Sequence, residues 1–267
     1  MSVQTLYTAA TGMEAMEAKL DVVANNLANV NTTAFKKGRA NFEDLFYRHE
    51  ALPGAKDQSD GITATGTSIG LGTRVSSVQS DFSQGAFLDT GGTFDVAIVG
   101  KGFYQVQDTD GNIVYTRAGN FSRNAQGQLV LGSAAVGRLL EPNITIPEEA
   151  TSVSISSDGL VQYMLAGETT PQEAGQLELA TFINPEGLLR MGENIFSQTE
   201  ASGAPQTAIP GQNGTGLLRQ GMLEASNVSP VNELIDLITT QRSFELNSQA
   251  IQAGDQILQL VANLRRY

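Results

Sequence analysis

The clearest pattern in the chain is a set of apolar residues at both ends that recur every seven positions. In the C-terminal segment, three further apolar residues lie beside those of the seven-residue repeat: Leu234, Val261 and Leu264. Such spacing is typical of a helix with a narrow coiled-coil seam. We therefore predict a helix at each terminus, and an assembly seam that pairs within the chain or with other chains. In the N-terminal segment a second row, Ala9, Met16, Val23 and Val30, follows the first by three positions. The predicted seam residues are Leu6, Met13, Leu20, Leu27, Leu237, Phe244, Ile251 and Leu258.

Both predicted helices have a boundary signal. The N-terminal pattern stops where Asn and Thr crowd the sequence between Asn25 and Thr33, because these side chains favour local hydrogen bonds over continued helix. Ser229-Pro230 marks the start of the C-terminal helix, since proline at the first helical position lacks only an N–H that would have no partner there.

Polar residues interrupt the C-terminal apolar rows. Asn247 and Gly254 lie one heptad apart. In a helix seam, an amide residue can fix the register of the two helices, and a small residue lets them approach closely. The alternative is that both residues lie on an exposed edge of the helix. Gln241, Arg242, Glu245 and Asn247 form a polar stripe. In a single helix this stripe faces solvent, whereas in a packed tube it meets neighbours or lines a lumen.

The middle of the chain has a β pattern. The stretch from Glu50 to Gly72 is rich in Gly, Ser and Thr and predicts a loop or extended segment. From Arg74 to about Leu223, short apolar alternations are separated by turn residues, and Asp110-Gly111 and Asp158-Gly159 indicate hairpins. The predicted strands are Phe94–Val99, Phe103–Gln107, Ile113–Thr116, Leu129–Leu131, Arg138–Leu140, Val153–Ser156, Leu160–Leu165 and Leu177–Phe182.

These patterns predict an α+β fold, with paired N- and C-terminal coiled-coil helices and a central all-β domain that is an antiparallel barrel-like structure or a sandwich. The predicted helical assembly domain comprises residues 1–35 and 226–267. An extended connecting region comprises residues 36–73 and 198–225, and the β domain comprises residues 74–197.

Composition excludes several kinds of function. The net charge of −12 argues against nucleic acid binding, which needs concentrated positive charge. The short cluster of Lys36, Lys37 and Arg39 predicts only a solvated turn. The chain has no cysteine, so disulfides, thiolate catalysis and cysteine-ligated metals are excluded. No run approaches the ~20 apolar residues of a membrane span, and the N-terminus lacks the pattern of a cleaved Sec-type signal.

The sequence offers no candidate for catalysis. The string from Gly66 to Gly70 matches a nucleophile elbow around Ser68, but its flanks are rich in Gly and Thr, and the sole histidine, His49, lies upstream. One histidine cannot build a metal site with histidine partners, and the carboxylates lack the spacing of a calcium loop. We expect no catalytic residue, no cofactor and no metal, and a self-assembling or scaffold protein rather than an enzyme.

Both ends of the chain also resemble a known family. The run Ala-Asn-Asn-Leu-Ala-Asn-Val-Asn-Thr-Thr-Ala-Phe-Lys from Ala24 to Lys36 resembles the N-terminal signature of bacterial flagellar rod and hook proteins, although this chain has Thr33-Ala34-Phe35 where the family usually has Asn-Gly-Phe. The run Gln-Arg-Ser-Phe-Glu-Leu-Asn-Ser from Gln241 resembles the C-terminal signature. Segments in the middle of the chain, such as Phe42-Glu43-Asp44-Leu45 and Tyr115-Thr116-Arg117, extend the resemblance. The motif residues are Asn25, Asn26, Leu27, Asn29, Phe35, Gln241, Arg242, Glu245 and Asn247.

This resemblance implies a structural subunit of the distal flagellar rod, which forms a hollow helical homopolymer across the periplasm. It implies that the terminal helices form an inner tube and that the β domain forms an outer layer. The partners it implies are further copies of the chain, proximal rod proteins, the hook or hook–rod junction, the surrounding P- and L-ring proteins and the flagellar export apparatus, with no nucleic acid. A proximal rod or hook subunit is the alternative within the family, and a cell-wall hydrolase, which would need a pair of acidic residues, is the alternative outside it.

Overall fold

The computed structural model describes residues 3–54, 65–133, 137–168 and 170–264. The fold is α+β, as predicted, with a helix at each end and a mostly β centre. The chain divides into two compact units, the first comprising Met1–Ala28, Gly38–Ser80 and Ser229–Tyr267, and the second Asn29–Lys37 and Asp81–Val228. We call them the helical unit and the β unit. They divide the chain at different residues from the predicted domains, which remain a prediction.

In its described residues, the helical unit has two long helices and four strands. Its elements are α1 (Val3–Ala28), β1 (Gly38–Asp44), β2 (Tyr47–Ala51), β3 (Thr67–Gly70), β4 (Thr73–Ser80) and α2 (Pro230–Leu264).

Each predicted boundary signal lies at a helix boundary. Helix α1 ends at Ala28, within the Asn- and Thr-rich stretch from Asn25 to Thr33. Helix α2 has Pro230 at its first position, and the N–H of Glu233 donates to the Ser229 carbonyl over 3.0 Å. No helix in the described ranges is long and apolar enough to cross a membrane.

The two helices pack against each other and run antiparallel. Lys19 near the middle of α1 approaches Asp236 near the start of α2, with 4.0 Å between Nζ and Oδ1. Near the other end of the pair, Leu6 lies against Gly254. Low residue numbers of α1 therefore meet high residue numbers of α2.

The stretch predicted as a loop, Glu50 to Gly72, contains the end of β2 and the whole of β3, which belong to a long two-stranded ribbon. Strand β1 pairs with β4, and β2 pairs with β3, both antiparallel. Two backbone hydrogen bonds join these pairs into one ribbon, from Leu45 N to Gly72 O and from Leu71 N to Phe46 O. Sequence periodicity missed these strands because both faces of the ribbon carry polar and charged residues. The predicted loop residues 55–64 lie outside the described part of the chain.

The β unit is built from short strands and one 3-10 turn at Pro185–Gly187. Its strands are β5 (Phe87–Asp89), β6 (Val96–Val99), β7 (Tyr104–Gln107), β8 (Ile113–Thr116), β9 (Phe121–Arg123), β10 (Leu129–Leu131), β11 (Arg138–Glu141), β12 (Ala150–Ile155), β13 (Leu160–Leu165), β14 (Gln172–Gln176), β15 (Leu179–Thr181), β16 (Leu189–Gly192), β17 (Ile195–Ser197), β18 (Gln206–Ala208), β19 (Leu217–Gln220) and β20 (Met222–Glu224).

The largest sheet of the β unit has seven strands in the order β16-β17-β8-β7-β11-β10-β9. Both hairpins predicted from Asp-Gly are present, β7 with β8 and β12 with β13, and Gly111 and Gly159 take the positive φ angles that such turns require. The seven-stranded sheet ends in the edge strands β16 and β9, so the predicted barrel does not close in the described residues.

Buried apolar side chains from strands and loops form the core of the β unit. Strands β15, β7 and β6 each contribute fully buried residues, and the loop before β12 adds Ile144 and Ile146. Segment 198–225, predicted as an extended connection, contributes β18, β19 and β20. These strands have only three or four residues, too few for a period of two to stand out.

Candidate assembly site

The eight predicted seam residues, four on each helix, are all half-buried in the helical unit. Of these, Leu6 lies against Gly254 of α2. That they form an assembly seam stays a prediction. On α2, a second row of covered residues lies between them and also repeats every seven positions. This second row is polar or small: Glu233, Thr240, Asn247 and Gly254.

Gly12 on α1 and Gly254 on α2 permit close approach of the helices. A Cβ atom at Gly254 would lie 2.6 Å from Leu6 Cδ2, and one at Gly12 would lie 3.0 Å from Asn247 Nδ2. Gly254 is buried and Asn247 is half-buried. The alternative of an exposed helix edge at these two positions is therefore wrong, because both residues face α1.

The outward face of α2 is apolar near its start and near its end. The exposed large apolar residues are Val231, Leu234, Ile235, Ile238, Leu246 and Leu260. Between them lie three motif residues that are all exposed: Gln241, Arg242 and Glu245. A row of exposed apolar side chains on one helix is typical of a surface that contacts another protein.

Of the N-terminal motif residues that lie in the helical unit, Asn26 is the one that is buried. Its side-chain amide nitrogen donates to the Gly38 carbonyl over 2.9 Å and to Glu233 Oε2 over 3.2 Å. Its oxygen accepts from the Gly38 N–H over 2.8 Å. Its neighbour Asn25 is exposed and Leu27 is half-buried.

Two motif residues lie in the β unit. Asn29 is half-buried, and Phe35 is buried with the Arg190 guanidinium 5.7 Å from its ring centroid. Between them, Ala34 is 1% exposed and has a φ of 57°, in the left-handed region. The family's usual glycine adopts this conformation without strain, whereas alanine does so at a cost of about 1–2 kcal/mol.

We expect Ala34→Gly to change the free energy of unfolding by less than about 1 kcal/mol, because relief of strain offsets the lost methyl burial and the greater freedom of the unfolded chain. Ala34→Val should destabilise by more than about 2 kcal/mol, since a β-branched residue is poorly tolerated at positive φ. Urea unfolding of both variants measures this contrast. Equal stability of the Ala34→Val and Ala34→Gly variants would contradict the left-handed geometry.

A cluster of three buried charges lies in the β unit. The Lys36 and Glu224 side chains are both 0% exposed, and Lys36 Nζ donates to Glu224 Oε1 over 2.6 Å. Arg117 Nε donates to the other carboxylate oxygen over 3.0 Å, and its remaining nitrogens donate to the carbonyls of Gly100 and Gly102. The prediction that Lys36 is solvated is wrong, whereas Arg39 is exposed and Lys37 is half-buried.

Two cations share one carboxylate in this cluster, and the pKa values reflect it. Burial by itself would raise the pKa of Glu224, but the charges of Arg117 and Lys36 hold it below its usual value. Burial and the nearby Arg117 lower the pKa of Lys36. Sequence reasoning missed Glu224 and Arg117, because nothing in a single sequence separates one buried carboxylate or guanidinium from those on the surface.

The nucleophile-elbow string does not form an elbow. Ser68 lies on β3, directly opposite His49 on β2, and both side chains are exposed on the ribbon. An elbow needs a strand, a sharp turn and a following helix. Across the described residues, no group of three or more His, Asp or Glu side chains is arranged to hold a metal ion.

Three family models match the chain. Residues 6–36 match the model "Flagella basal body rod protein", and residues 219–264 match "Flagellar basal body rod FlgEFG protein C-terminal". Residues 97–163 match "Flagellar hook protein FlgE/F/G D1 domain". The first two matches include most of α1 and all of α2, and the third lies within the β unit.

Curated relatives match the chain over almost its whole length. The flagellar basal-body rod protein FlgG of Caulobacter vibrioides is 46% identical over 263 residues, which cover 98% of this chain and 99% of the relative. FlgG of Bacillus subtilis is 40% identical over 268 residues, with 98% and 99% covered. The flagellar basal-body rod protein FlgF of Caulobacter vibrioides is 35% identical over 246 residues, with 90% and 89% covered.

Proposed function

Because the chain belongs to the flagellar basal-body rod proteins and is a structural subunit of the rod rather than an enzyme, we propose that it polymerises into the distal rod. The observation that carries this proposal is the likeness to relatives named FlgG, at 40–46% identity across 97–98% of the chain. In this role the polymer is the hollow helical shaft that transmits torque to the hook.

The flagellar basal body is the location that family membership supports. We further propose that the rod spans the periplasm and that the chain is exported by the flagellar apparatus without a cleaved signal. The proposed partners are other copies of the chain, proximal rod proteins, the hook or hook–rod junction, and the P- and L-ring proteins around the rod.

The helical unit supports assembly through helices. Its predicted seam residues are half-buried, and the exposed apolar residues of α2 remain for a neighbouring subunit. We propose that the helices pair as a coiled coil, and that the helices of several subunits form the inner tube. In that arrangement Gln241, Arg242 and Glu245 meet neighbours or line the lumen.

Electron microscopy of the purified protein at high concentration tests the proposal. We expect ordered helical filaments of uniform diameter. Protein that remains dispersed under all conditions, or that turns over a cell-wall substrate, would contradict it.

A proximal rod subunit is the second candidate, and the 35% identity to FlgF favours it more than a hook subunit. Complementation separates the two possibilities. The chain should restore motility to cells lacking their FlgG and not to cells lacking their FlgF, and the reverse result would favour the second candidate.

The ribbon is the proposed contact that fixes the packing of neighbouring subunits. Phe46 is 87% exposed, and Tyr47, Leu52 and Val78 are also exposed. A two-stranded ribbon is marginally stable without cover, and these side chains bury little in the subunit itself. A neighbouring subunit in the rod would cover them.

Deletion of residues 50–72 should leave the β unit folded, because that unit contains only Asn29–Lys37 and Asp81–Val228. We expect the deletion to change the stiffness or the length of the rods, as seen by electron microscopy. Rods of normal length and rigidity would show that the ribbon does not fix packing.

Phe46→Ser tests the same idea without a deletion. It should leave the free energy of unfolding of the monomer within about 0.5 kcal/mol of the parent, since the ring is exposed. It should nevertheless change the stiffness or the length of the rods. His49→Ala, a change at an exposed polar position on the same ribbon, is the matched control and should leave the rods unchanged.

A further inference from the structure

The apolar rows of α1 and α2 do not by themselves fix how the helices align. Leu, Met, Phe and Ile repeat every seven residues on both helices, so a slip of one heptad replaces each apolar contact with a similar one. Such a slip moves one helix by about 10.5 Å along the other. Other residues must therefore make the observed alignment the preferred one.

Asn26 and Glu233 form a contact that only the observed alignment provides. Asn26 is 3% exposed and Glu233 is 7% exposed, and the amide nitrogen of one donates to the carboxylate of the other. In the slipped register in which Lys19 meets Ser243, Glu233 would lie beyond the end of α1 at Ala28, and Asn26 would lose its carboxylate partner. Buried polar groups that lose their partners are costly, and setting the register is the best-attested role of such groups in paired helices.

The backbone of Gly38 fixes the orientation of the Asn26 amide. The Gly38 carbonyl accepts from the amide nitrogen, and the Gly38 N–H donates to the amide oxygen. If the amide were flipped, both of these bonds would be lost and its oxygen would face the Glu233 carboxylate. The amide is thus held with its second N–H directed at Glu233 by contacts that do not involve α2.

We propose that Asn26 is the positioning residue that sets the register of α1 against α2, with Glu233 as its partner. The consequence for assembly rests on the proposed function as a rod subunit. A slip of one heptad would displace the outward apolar side chains of α2, such as Val231 and Ile238, by about 10.5 Å relative to α1. A neighbouring subunit that fits one register would not fit the other.

The absence of native cysteine allows the register to be read directly. Lys19 and Asp236 meet in the observed register, so cysteines at these two positions report it when joined by a short thiol crosslinker. Ser243 lies one heptad beyond Asp236, so cysteines at positions 19 and 243 report the slipped register. The readout is the ratio of the two intramolecular products in dilute full-length protein.

We expect the 19–236 product to predominate in the parent chain, and Asn26→Ala to raise the 19–243 product at least fivefold. Glu233→Gln should keep the parent ratio, because a glutamine oxygen still accepts from Asn26. Glu17→Ala, at an exposed position on the same helix, is the control and should also keep it. An unchanged ratio in Asn26→Ala would overturn the proposal.

If Asn26→Ala loses helical structure, the double variant Asn26→Leu with Glu233→Leu takes its place in the test. Its apolar side chains fill the same space, so circular dichroism should show parent-like helicity while both crosslinked products form. Parent-like helicity with only the 19–236 product would overturn the proposal. The ratio is measured without polymerisation, so a shifted ratio in Asn26→Ala, together with a parent chain that never forms filaments, would refute the proposed function and leave the register inference intact.

Discussion

Glu224→Gln should lower the free energy of unfolding of the β unit by about 3–5 kcal/mol. The glutamine has the same shape, but it leaves Lys36 and Arg117 buried together with no negative charge between them. Urea unfolding followed by circular dichroism measures the loss. Glu149→Gln, at an exposed position, is the matched control and should stay within about 0.5 kcal/mol of the parent.

Lys36→Met separates the effect of charge balance from that of packing. It removes one of the two cations and leaves Arg117 paired with Glu224, so it should cost less than Glu224→Gln. An equal or larger cost would show that packing around Lys36, rather than the shared carboxylate, stabilises the cluster.

Acid should lower the free energy of unfolding of the parent chain by protonating Glu224. The pKa of Glu224 is lower in the folded protein than in the unfolded chain, where a glutamate has a pKa of about 4.3. Its contribution to stability is therefore present above that pH, and is lost as the pH falls through the folded-state pKa. Glu224→Gln lacks this contribution, so the difference in stability between parent and variant should shrink below about pH 4.

The helices and their contact are the part of the fold most accessible to prediction. A repeat of seven over several turns is a long signal, and Pro230 and the Asn-rich stretch mark its limits clearly. The ribbon escapes prediction, because strands such as β2 carry polar residues on both faces. The smallest strands of the β unit, such as β18 and β20, are missed because three residues cannot establish a period.

Sequence reasoning identifies the motif residues but not their roles. Asn26 and Phe35 belong to a recognisable signature, yet only the structure shows that Asn26 binds Gly38 and Glu233. The prediction for Lys36 fails because clustered basic residues are usually solvated, and its partner Glu224 is 188 positions away. Contacts over such separations depend on the tertiary fold and leave no local trace in one sequence.

Replacing Leu20 or Ile251 with aspartate should abolish rod assembly and motility. Both positions are half-buried in the helical unit, and further assembly of helices would bury them more. A carboxylate placed there without a partner costs roughly 3 kcal/mol or more. The loss falls on the helical unit, because neither residue belongs to the β unit.

The conservative variants Leu20→Met and Ile251→Leu are the matched controls. They keep the seam apolar and nearly the same volume, so they should cost less than about 1.5 kcal/mol and preserve motility. Swimming in soft agar and microscopy of isolated basal bodies measure the effect on the rod, while urea unfolding of the β unit should show no change for any of the four variants. Cells that swim normally with either aspartate would show that the seam is not buried in the rod, and the coiled-coil model of its inner tube would then be wrong.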